Sequence, residues 1–546
     1  MSKKSREKAK QDRSLELRAS ANSFWAEIFV LNILAAVPLY LHPQEKYIYL
    51  TQHKARYLWT SSFIMFGVLL LITLSFAGMA KSRTFRDRLS GIKLPDWAAA
   101  VYLLLVCVSA IASPLPDYYF GSTNFWFFLD GVPERHDGII TIAIYVMIYF
   151  TVSRLYRPKE RDWAVFAAAA SAVSAIGLLQ GIGYDIFTLY PYGYSGQTIG
   201  VYDYNYLDIL FRATLGNVDI ISPFVCIVIG FLLPLYMKSD RKIRFLYLAA
   251  VILTFAMMIM GGADGGIVGV GIAIALLTAF NITDKTAMSR MFFALSLSCL
   301  LTVIHPAAYA ARDYYYQTGV MNTFHWGGIY KSIWVLGFSA LMALSLAIRF
   351  IPVWIKGKPW KAALIAVACV MALAFAGIET AGSRITDEGS VIYQAREVMH
   401  MRMDDGFGSG RGFLWDRTMN VVMDNFWLGT GPDTFSYAFR DYQLEAQIVT
   451  NTEFDKAHND YLQILICHGI FALAAFMALL FSLAAKVIPK VWEAPLFMAC
   501  AAACAAYMVQ AFFGISTPMV TPLFFVMLGI VRGAVYEEQK NGLQSG

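Results

Sequence analysis

Long apolar stretches separated by short polar segments recur along almost the whole chain. Fourteen of them come close to the roughly 20 mostly apolar residues that a helix needs to cross a bilayer. We therefore predict an all-α, polytopic helical membrane protein with about fourteen transmembrane helices. The predicted spans are centred on residues 24–41, 58–79, 97–113, 138–153, 163–182, 217–237, 245–261, 265–281, 291–308, 329–348, 362–379, 459–485, 495–515 and 517–534.

The composition agrees with a lipid environment. Charged residues make up 15% of the 546 positions and hydrophobic residues 58%, whereas soluble domains contain about 25% and 45–50%. This composition excludes a disordered protein and argues against an ordinary soluble enzyme. The net charge of +6 is compatible with nucleic-acid binding. However, the Lys and Arg residues cluster in short loops between apolar runs, which is typical of membrane topology, so we expect no nucleic-acid partner.

Basic residues predict the orientation, because Lys and Arg resist translocation across the membrane. With the amino end inside, 30 of the 44 Lys and Arg residues lie on the cytosolic side. Both termini are then cytosolic, and the polar arm before the first span is retained. The predicted organisation is a basic cytosolic arm at 1–23, helices 1–11 at 24–379, an extracytoplasmic loop subdomain at 380–457, helices 12–14 at 458–534 and a cytosolic tail at 535–546.

Three shorter outer loops each keep one basic residue against this bias, namely Arg135, Arg212 and Arg312. Arg135 and Arg212 lie within a few residues of a span's outer end, where a guanidinium can bind a lipid phosphate through two hydrogen bonds. A snorkelling arginine at the interface, or an ion pair with a loop acid such as Glu134 or Asp208, explains the same spacing.

The outer segment 380–457 contains 12 acidic and 7 basic residues and is the longest extramembrane stretch. Its pattern predicts two short helices lying across the membrane surface. The first begins near Arg411 and places Arg411 and Trp415 on one face, because they are four residues apart. The second opens at Pro432, where proline suits a helix start, and ends near Gln447.

His458 follows this segment, where a polar loop leads into the twelfth span. In the first turn of that helix, the positive end of the helix dipole disfavours an imidazolium. A neutral histidine at the membrane interface is a competent general base. A histidine at a helix start also serves as a cap or an interface anchor, so the position alone is weak evidence.

Several motifs resemble the O-antigen ligase and polymerase superfamily. Its signature block is similar to GSGRGFLWDRT at 408–418, NFWLGTGPDTF at 425–435 and AHNDYLQILICHGIFAL at 457–473. RHDGIIT at 135–141 and RATLGN at 212–217 resemble motifs that occur earlier in that family. One departure is GGADG at 261–265, where Asp264 stands in place of an arginine that many members carry.

The resemblance implies a glycosyltransferase-C-like fold and an inverting transfer without a metal or another cofactor. The donor would be a glycan on undecaprenyl diphosphate, and the acceptor a hydroxyl of a glycan, lipid or protein at the outer face of the bacterial cytoplasmic membrane. Arginines can neutralise a diphosphate leaving group without a cation. The candidate residues are Arg135, Arg212 and Arg411 for the diphosphate, His458 for the base, and Asn459 and Trp415 to orient the base or the sugar.

The sequence does not select the acceptor. Ligation to a lipid core, polymerisation of repeat units, and attachment to a protein hydroxyl or a wall polymer all use the same chemistry. A lipid-linked glycan flippase or transporter is an alternative of another class, but the chain shows no convincing pair of repeated halves. A metal-dependent oligosaccharyltransferase would need paired carboxylates in early outer loops. The acidic pairs Asp387–Glu388 and Asp404–Asp405 lie instead in the long outer segment 380–457.

Overall fold

The computed structural model of the protein describes residues 21–42, 50–74, 91–115, 124–133, 135–181, 186–187, 213–316, 325–350, 375–384 and 405–544, with isolated residues at 372, 393, 396–397, 399–400 and 402. Within these residues every regular element is a helix. The predicted all-α class is confirmed, and the apolar character of the helices is that of a polytopic helical membrane protein.

The helices are numbered along the chain. Their bounds are Ala21–Leu39 (α1), Leu50–Leu74 (α2), Leu94–Ile111 (α3), Asn124–Asp130 (α4), Ile139–Leu155 (α5), Glu160–Gly181 (α6), Val218–Lys238 (α7), Arg244–Met260 (α8), Asp264–Asn281 (α9), Lys285–Tyr316 (α10), His325–Ala347 (α11), Phe407–Asp424 (α12), Phe435–Ala438 (α13), Arg440–Thr450 (α14), Asp460–Val487 (α15), Pro495–Gln510 (α16) and Thr521–Gln544 (α17).

Thirteen of the fourteen predicted spans coincide with one of these helices. Among the described residues, seven helices are long and apolar enough to cross a membrane, namely α1, α2, α3, α6, α7, α10 and α15. Shorter apolar helical stretches of 10–17 residues lie in α5, α8, α9, α11, α16 and α17. The predicted span 362–379 lies mostly outside the described residues, so the total of fourteen stays a prediction.

Helix α7 is enclosed by other helices, although its hydropathy would suit a lipid-facing position. Every residue of this helix from Ile220 to Met237 is buried, and the helix packs against α8, α9 and α16. A Cβ on Gly230 would come within 2.6 Å of the Cα of Ala503, so α7 and α16 cross in backbone contact. Small residues allow membrane helices to approach in this way. The packing fixes the first turn of α7, which carries Asp219.

Helix α15 is broken at Gly469, which the sequence analysis did not predict. Gly469 has φ 79° and ψ 175°, a conformation that interrupts the helical hydrogen bonds. The loop after α12 supplies hydrogen bonds to the carbonyl groups that the break leaves without helical partners. The N–H groups of Thr430 and Gly431 donate to the carbonyls of Ile466 at 2.9 Å and Cys467 at 2.8 Å. The break therefore ties the loop after α12 to the middle of α15.

The segment that was predicted as an extracytoplasmic loop subdomain, called the outer subdomain below, contains α12, α13 and α14 and packs on the first half of α15. Its location outside the membrane stays a prediction. The prediction for its first helix was partly wrong, because α12 begins at Phe407 rather than near Arg411. The second helix begins at Phe435 rather than Pro432, because Asp433 has φ 55° and cannot continue a right-handed helix. It is interrupted at Phe439 and ends at Thr450. That both helices lie across the membrane surface stays a prediction.

Candidate active site

The loop before α15 presents His458 in an unusual backbone conformation. Asn459 caps α15, since its Oδ1 accepts hydrogen bonds from the N–H groups of Tyr461 at 3.0 Å and Leu462 at 3.1 Å. The helix begins at Asp460, so the placement of His458 in its first turn was wrong. His458 precedes the cap and has φ 46°, in the left-handed region that non-glycine residues adopt only when their surroundings impose it.

Asp219, in the first turn of α7, lies between Arg411 and His458. Its Oδ1 accepts a hydrogen bond from Nη2 of Arg411 at 3.2 Å, and its Oδ2 lies 3.4 Å from Nδ1 of His458. The second distance is long for a hydrogen bond, as is common for catalytic groups before a substrate binds. The arrangement places a carboxylate near Nδ1 of His458, and this buried nitrogen has no hydrogen-bond partner among the residues that the structure describes.

Arg411 is held by oxygen atoms from three parts of the chain. Besides Asp219, its guanidinium donates to the carbonyl of Gly408 at 2.8 Å and to that of Phe513 at 3.2 Å. Its Nε atom is buried and has no hydrogen-bond partner among the described residues. The guanidinium is thus fixed in position, and its Nε–H remains available to donate a hydrogen bond.

Arg135 lies in the loop between α4 and α5 and pairs with Asp455, three residues before His458. Its Nε donates to Oδ2 of Asp455 at 2.5 Å. Burial would raise the pKa of the Asp455 carboxyl, but the Arg135 guanidinium outweighs burial and holds that pKa below its ordinary value. A loop acid such as Glu134 or Asp208 was predicted as a partner for Arg135, and both lie outside the described residues; the structure shows a pair with Asp455.

Trp415 supports the same loop. Its indole Nε1 donates to the carbonyl of Ala457 at 3.0 Å, and its ring packs against Phe513 with centroids 6.1 Å apart. Arg411 also donates to Phe513, so Arg411 and Trp415 share a face as predicted. Trp415 therefore contacts the residue next to His458, in agreement with an orienting role for the base. Asn459, by contrast, uses its side-chain oxygen as a helix cap.

Beneath this loop lies a buried group of charged residues that the sequence analysis missed. Lys456 is 1% exposed, and its Nζ donates to Oδ2 of Asp137 at 2.7 Å. Burial lowers the pKa of Lys456, but Asp137 and Asp433 outweigh burial and raise it. Burial raises the pKa of Asp433 to about 6. Asp137 and Asp433 also line a cavity that continues between α3, α5, α15, α16 and α17.

The structure thus brings together Arg135, Arg411, Trp415 and His458, and it adds Asp219 and Asp455. Arg212 lies outside the described residues. Asp219 escaped notice because an acidic residue in the first turn of a helix is common and usually serves the helix dipole. Within the described part of the chain, no three His, Cys, Asp or Glu side chains are grouped so that they could hold a metal ion.

Comparison with known proteins finds one family for part of the chain. Residues 329–477, about a quarter of the chain, match the family model described as O-Antigen ligase. This segment includes Arg411, Trp415, His458 and Asn459, and over it the resemblance to the O-antigen ligase-like superfamily is confirmed. The match supports a ligase-like function in glycan transfer. A search of curated proteins found no match.

Proposed function

We propose that the protein is a glycosyltransferase that moves a glycan from an undecaprenyl diphosphate carrier to an acceptor hydroxyl at the outer face of the bacterial cytoplasmic membrane. The observation that carries the proposal is the meeting of His458, Asp219 and Arg411. These residues come from α7, from α12 and from the loop before α15, and they unite a base, a carboxylate that orients it and a cation.

The bond changes assign a task to each group. The acceptor oxygen attacks the anomeric carbon, and the bond from that carbon to the diphosphate oxygen breaks with its electron pair going to the diphosphate. His458 takes the acceptor proton through Nε2, while the carboxylate of Asp219, which lies 3.4 Å from Nδ1, closes on that nitrogen when the substrates bind and orients the ring. Arg411 and Arg135 stabilise the charge that develops on the diphosphate, as preorganised cations do in a site that excludes water.

The attack inverts the anomeric centre, because the acceptor approaches the side opposite the leaving diphosphate. Trp415 keeps the carbonyl of Ala457 in place and so supports the orientation of the base. Arg212 is the third arginine that we propose for the diphosphate, on the motif resemblance alone. A donor with a good leaving group needs no further activation, and the proposed reaction uses no cofactor.

The decisive experiment replaces His458 by alanine in the full chain, purified in detergent. A fluorescent synthetic undecaprenyl diphosphate-linked glycan is the donor, and a lipopolysaccharide core, a second donor molecule and a serine-containing peptide are offered as acceptors in turn. We expect His458→Ala to lower kcat by about 10² to 10⁴-fold, the usual contribution of a general base. The acceptor that the wild-type protein uses distinguishes ligase, polymerase and protein oligosaccharyltransferase.

The matched control is His400→Ala. His400 lies in the same outer segment, is partly exposed and pairs with Glu379 at 2.9 Å. Its replacement should leave turnover unchanged. Full turnover by His458→Ala would falsify the base assignment, and donor movement across reconstituted vesicles without any transfer product would favour the flippase.

A further inference from the structure

Two ion pairs of opposite polarity join the segment that carries Arg135 to the segment that carries His458. Arg135 donates to Asp455 at 2.5 Å, and Lys456 donates to Asp137 at 2.7 Å. The first segment supplies the cation of one pair and the anion of the other. A slip of one segment along the other would bring like charges together, so the polarity specifies a single register.

The two pairs differ in burial. The side chains of Lys456 and Asp137 are 1% and 10% exposed, whereas those of Arg135 and Asp455 are 18% and 33% exposed. A buried ion pair recovers its desolvation cost only with good geometry and additional hydrogen bonds. Ser516 supplies them, since its carbonyl accepts from Lys456 at 3.1 Å and its hydroxyl donates to Asp137 at 2.8 Å. The buried pair therefore also fixes the loop between α16 and α17.

The backbone on the other side of Lys456 is fixed as well. The N–H of Ala457 donates to Oε1 of Gln463 at 2.9 Å, and the carbonyl of Ala457 accepts from Trp415. His458 then adopts its left-handed conformation immediately before the cap of α15. Such a conformation persists only where the surroundings over-determine it. Lys456 is the charged anchor of this short stretch.

We infer that Lys456 and Asp137 are positioning residues, whose buried ion pair sets the distance between the base His458 and the diphosphate-binding Arg135. This inference rests on the proposed function. Neither residue is assigned a contact with the donor or the acceptor in the proposed reaction. It acts through the two segments that it joins, and a displacement of about 1 Å in such a site can lower the rate about 10²-fold.

The test compares Lys456→Met with the charge-swapped variant Lys456→Asp/Asp137→Lys in the full chain, with the fluorescent donor described above. We expect Lys456→Met to lower kcat about 10²-fold while the donor KM stays within about threefold, because Arg411 still binds the donor. The charge swap should recover at least about tenfold of that loss, since it restores an ion pair of the same length. Arg417→Met, which breaks the exposed pair with Glu445 at 2.7 Å, is the control and should keep full kcat.

A third variant covers the case in which Lys456→Met does not fold. Lys456→Arg retains the charge but lengthens the side chain, so we expect a wild-type melting temperature and a kcat about tenfold lower. A wild-type kcat in folded Lys456→Met or Lys456→Arg overturns the positioning role. A charge-swapped variant that regains the wild-type melting temperature but keeps the low kcat of Lys456→Met overturns it as well. Full turnover by His458→Ala in the same assay overturns the proposed function instead.

Discussion

Each candidate phosphate-binding arginine that the structure describes already has a carboxylate partner. Arg411 pairs with Asp219 and Arg135 with Asp455, and the partners are 192 and 320 positions apart in the sequence. The carboxylates hold the guanidinium groups in place before the donor binds, which reduces the reorganisation that binding requires. In the proposed reaction, a diphosphate with two or more negative charges displaces these carboxylates from the guanidinium groups or binds beside them. Selectivity for a strongly charged leaving group follows from this competition.

The burial of Asp433 predicts that the stability of the outer subdomain depends on pH. It is 5% exposed, and its Oδ2 accepts hydrogen bonds from the N–H groups of Val132 at 2.7 Å and Asp137 at 3.2 Å. Burial raises its pKa to about 6 from an ordinary value of 3.8. The folded protein therefore binds this proton more tightly than the unfolded chain. The protonated Asp433 carboxyl therefore makes its full contribution to the free energy of unfolding below about pH 4. This contribution is lost as the pH rises through about 6.

We expect Asp433→Asn to stabilise the protein at pH 8 by about 2 to 3 kcal/mol, because each pKa unit corresponds to about 1.4 kcal/mol. Asparagine accepts both backbone hydrogen bonds and tolerates the left-handed conformation of this position. The melting temperature in detergent, measured from pH 4 to pH 8, should show a gain at pH 8 that vanishes near pH 4. Asp441→Asn, at an exposed position of α14, serves as the control. An equal gain at both ends of the range would contradict the role of the buried carboxyl.

Helix positions were predictable from the sequence where length and hydropathy alone determine them. The conformation at Gly469 was not, because a glycine in an apolar run is usually accommodated within a straight helix. The same limit applies to Pro432, which suits a helix start by its own geometry. There the hydrogen bonds from Val132 and Asp137 hold Asp433 in a left-handed turn, and these partners are 301 and 296 positions away in the sequence. Arg135, Arg411 and His458 were predicted as site residues from the sequence, and their role stays a prediction. Their carboxylate partners Asp455 and Asp219 could not be predicted, because they are distant in the sequence.

Replacement of Gly469 by alanine tests the break in α15. A Cβ there would lie 2.2 Å from the carbonyl oxygen of Trp427, and the backbone conformation is one that essentially only glycine adopts. We expect Gly469→Ala to destabilise the protein by about 2 to 4 kcal/mol, because strain adds to the loss of the Thr430 and Gly431 hydrogen bonds. The readouts are the melting temperature and the monodisperse fraction in detergent.

Ala475→Gly, in the continuous part of the same helix, gives the reference for that experiment. It should cost only about 1 kcal/mol, the usual penalty of glycine within a helix. A Gly469→Ala protein as stable as the wild type would mean that α15 is straight in the membrane. The loop around Thr430 would then have no helix break to repair.

The molecule has two chemically different ends. One end carries Arg135, Arg411 and His458 with their carboxylate partners. At the opposite ends of the bundle helices, Arg241 pairs with Glu160, and Lys238 pairs with Asp284. The lipid-linked donor reaches the site only if the first end faces outward. Access of the donor to the site therefore depends on the predicted orientation, in which both termini are cytosolic.

Labelling of single introduced cysteines tests this orientation. Asp424→Cys lies at the exposed end of α12 in the outer subdomain, and Arg241→Cys replaces a side chain that is 77% exposed in the loop between α7 and α8. We expect a membrane-impermeant maleimide to label Asp424→Cys in intact spheroplasts and Arg241→Cys only after permeabilisation. The wild-type chain is the background control, because its described cysteines are buried or partly buried. Labelling in the reverse order would place His458 and both arginines in the cytosol, where an outward-facing donor could not reach them.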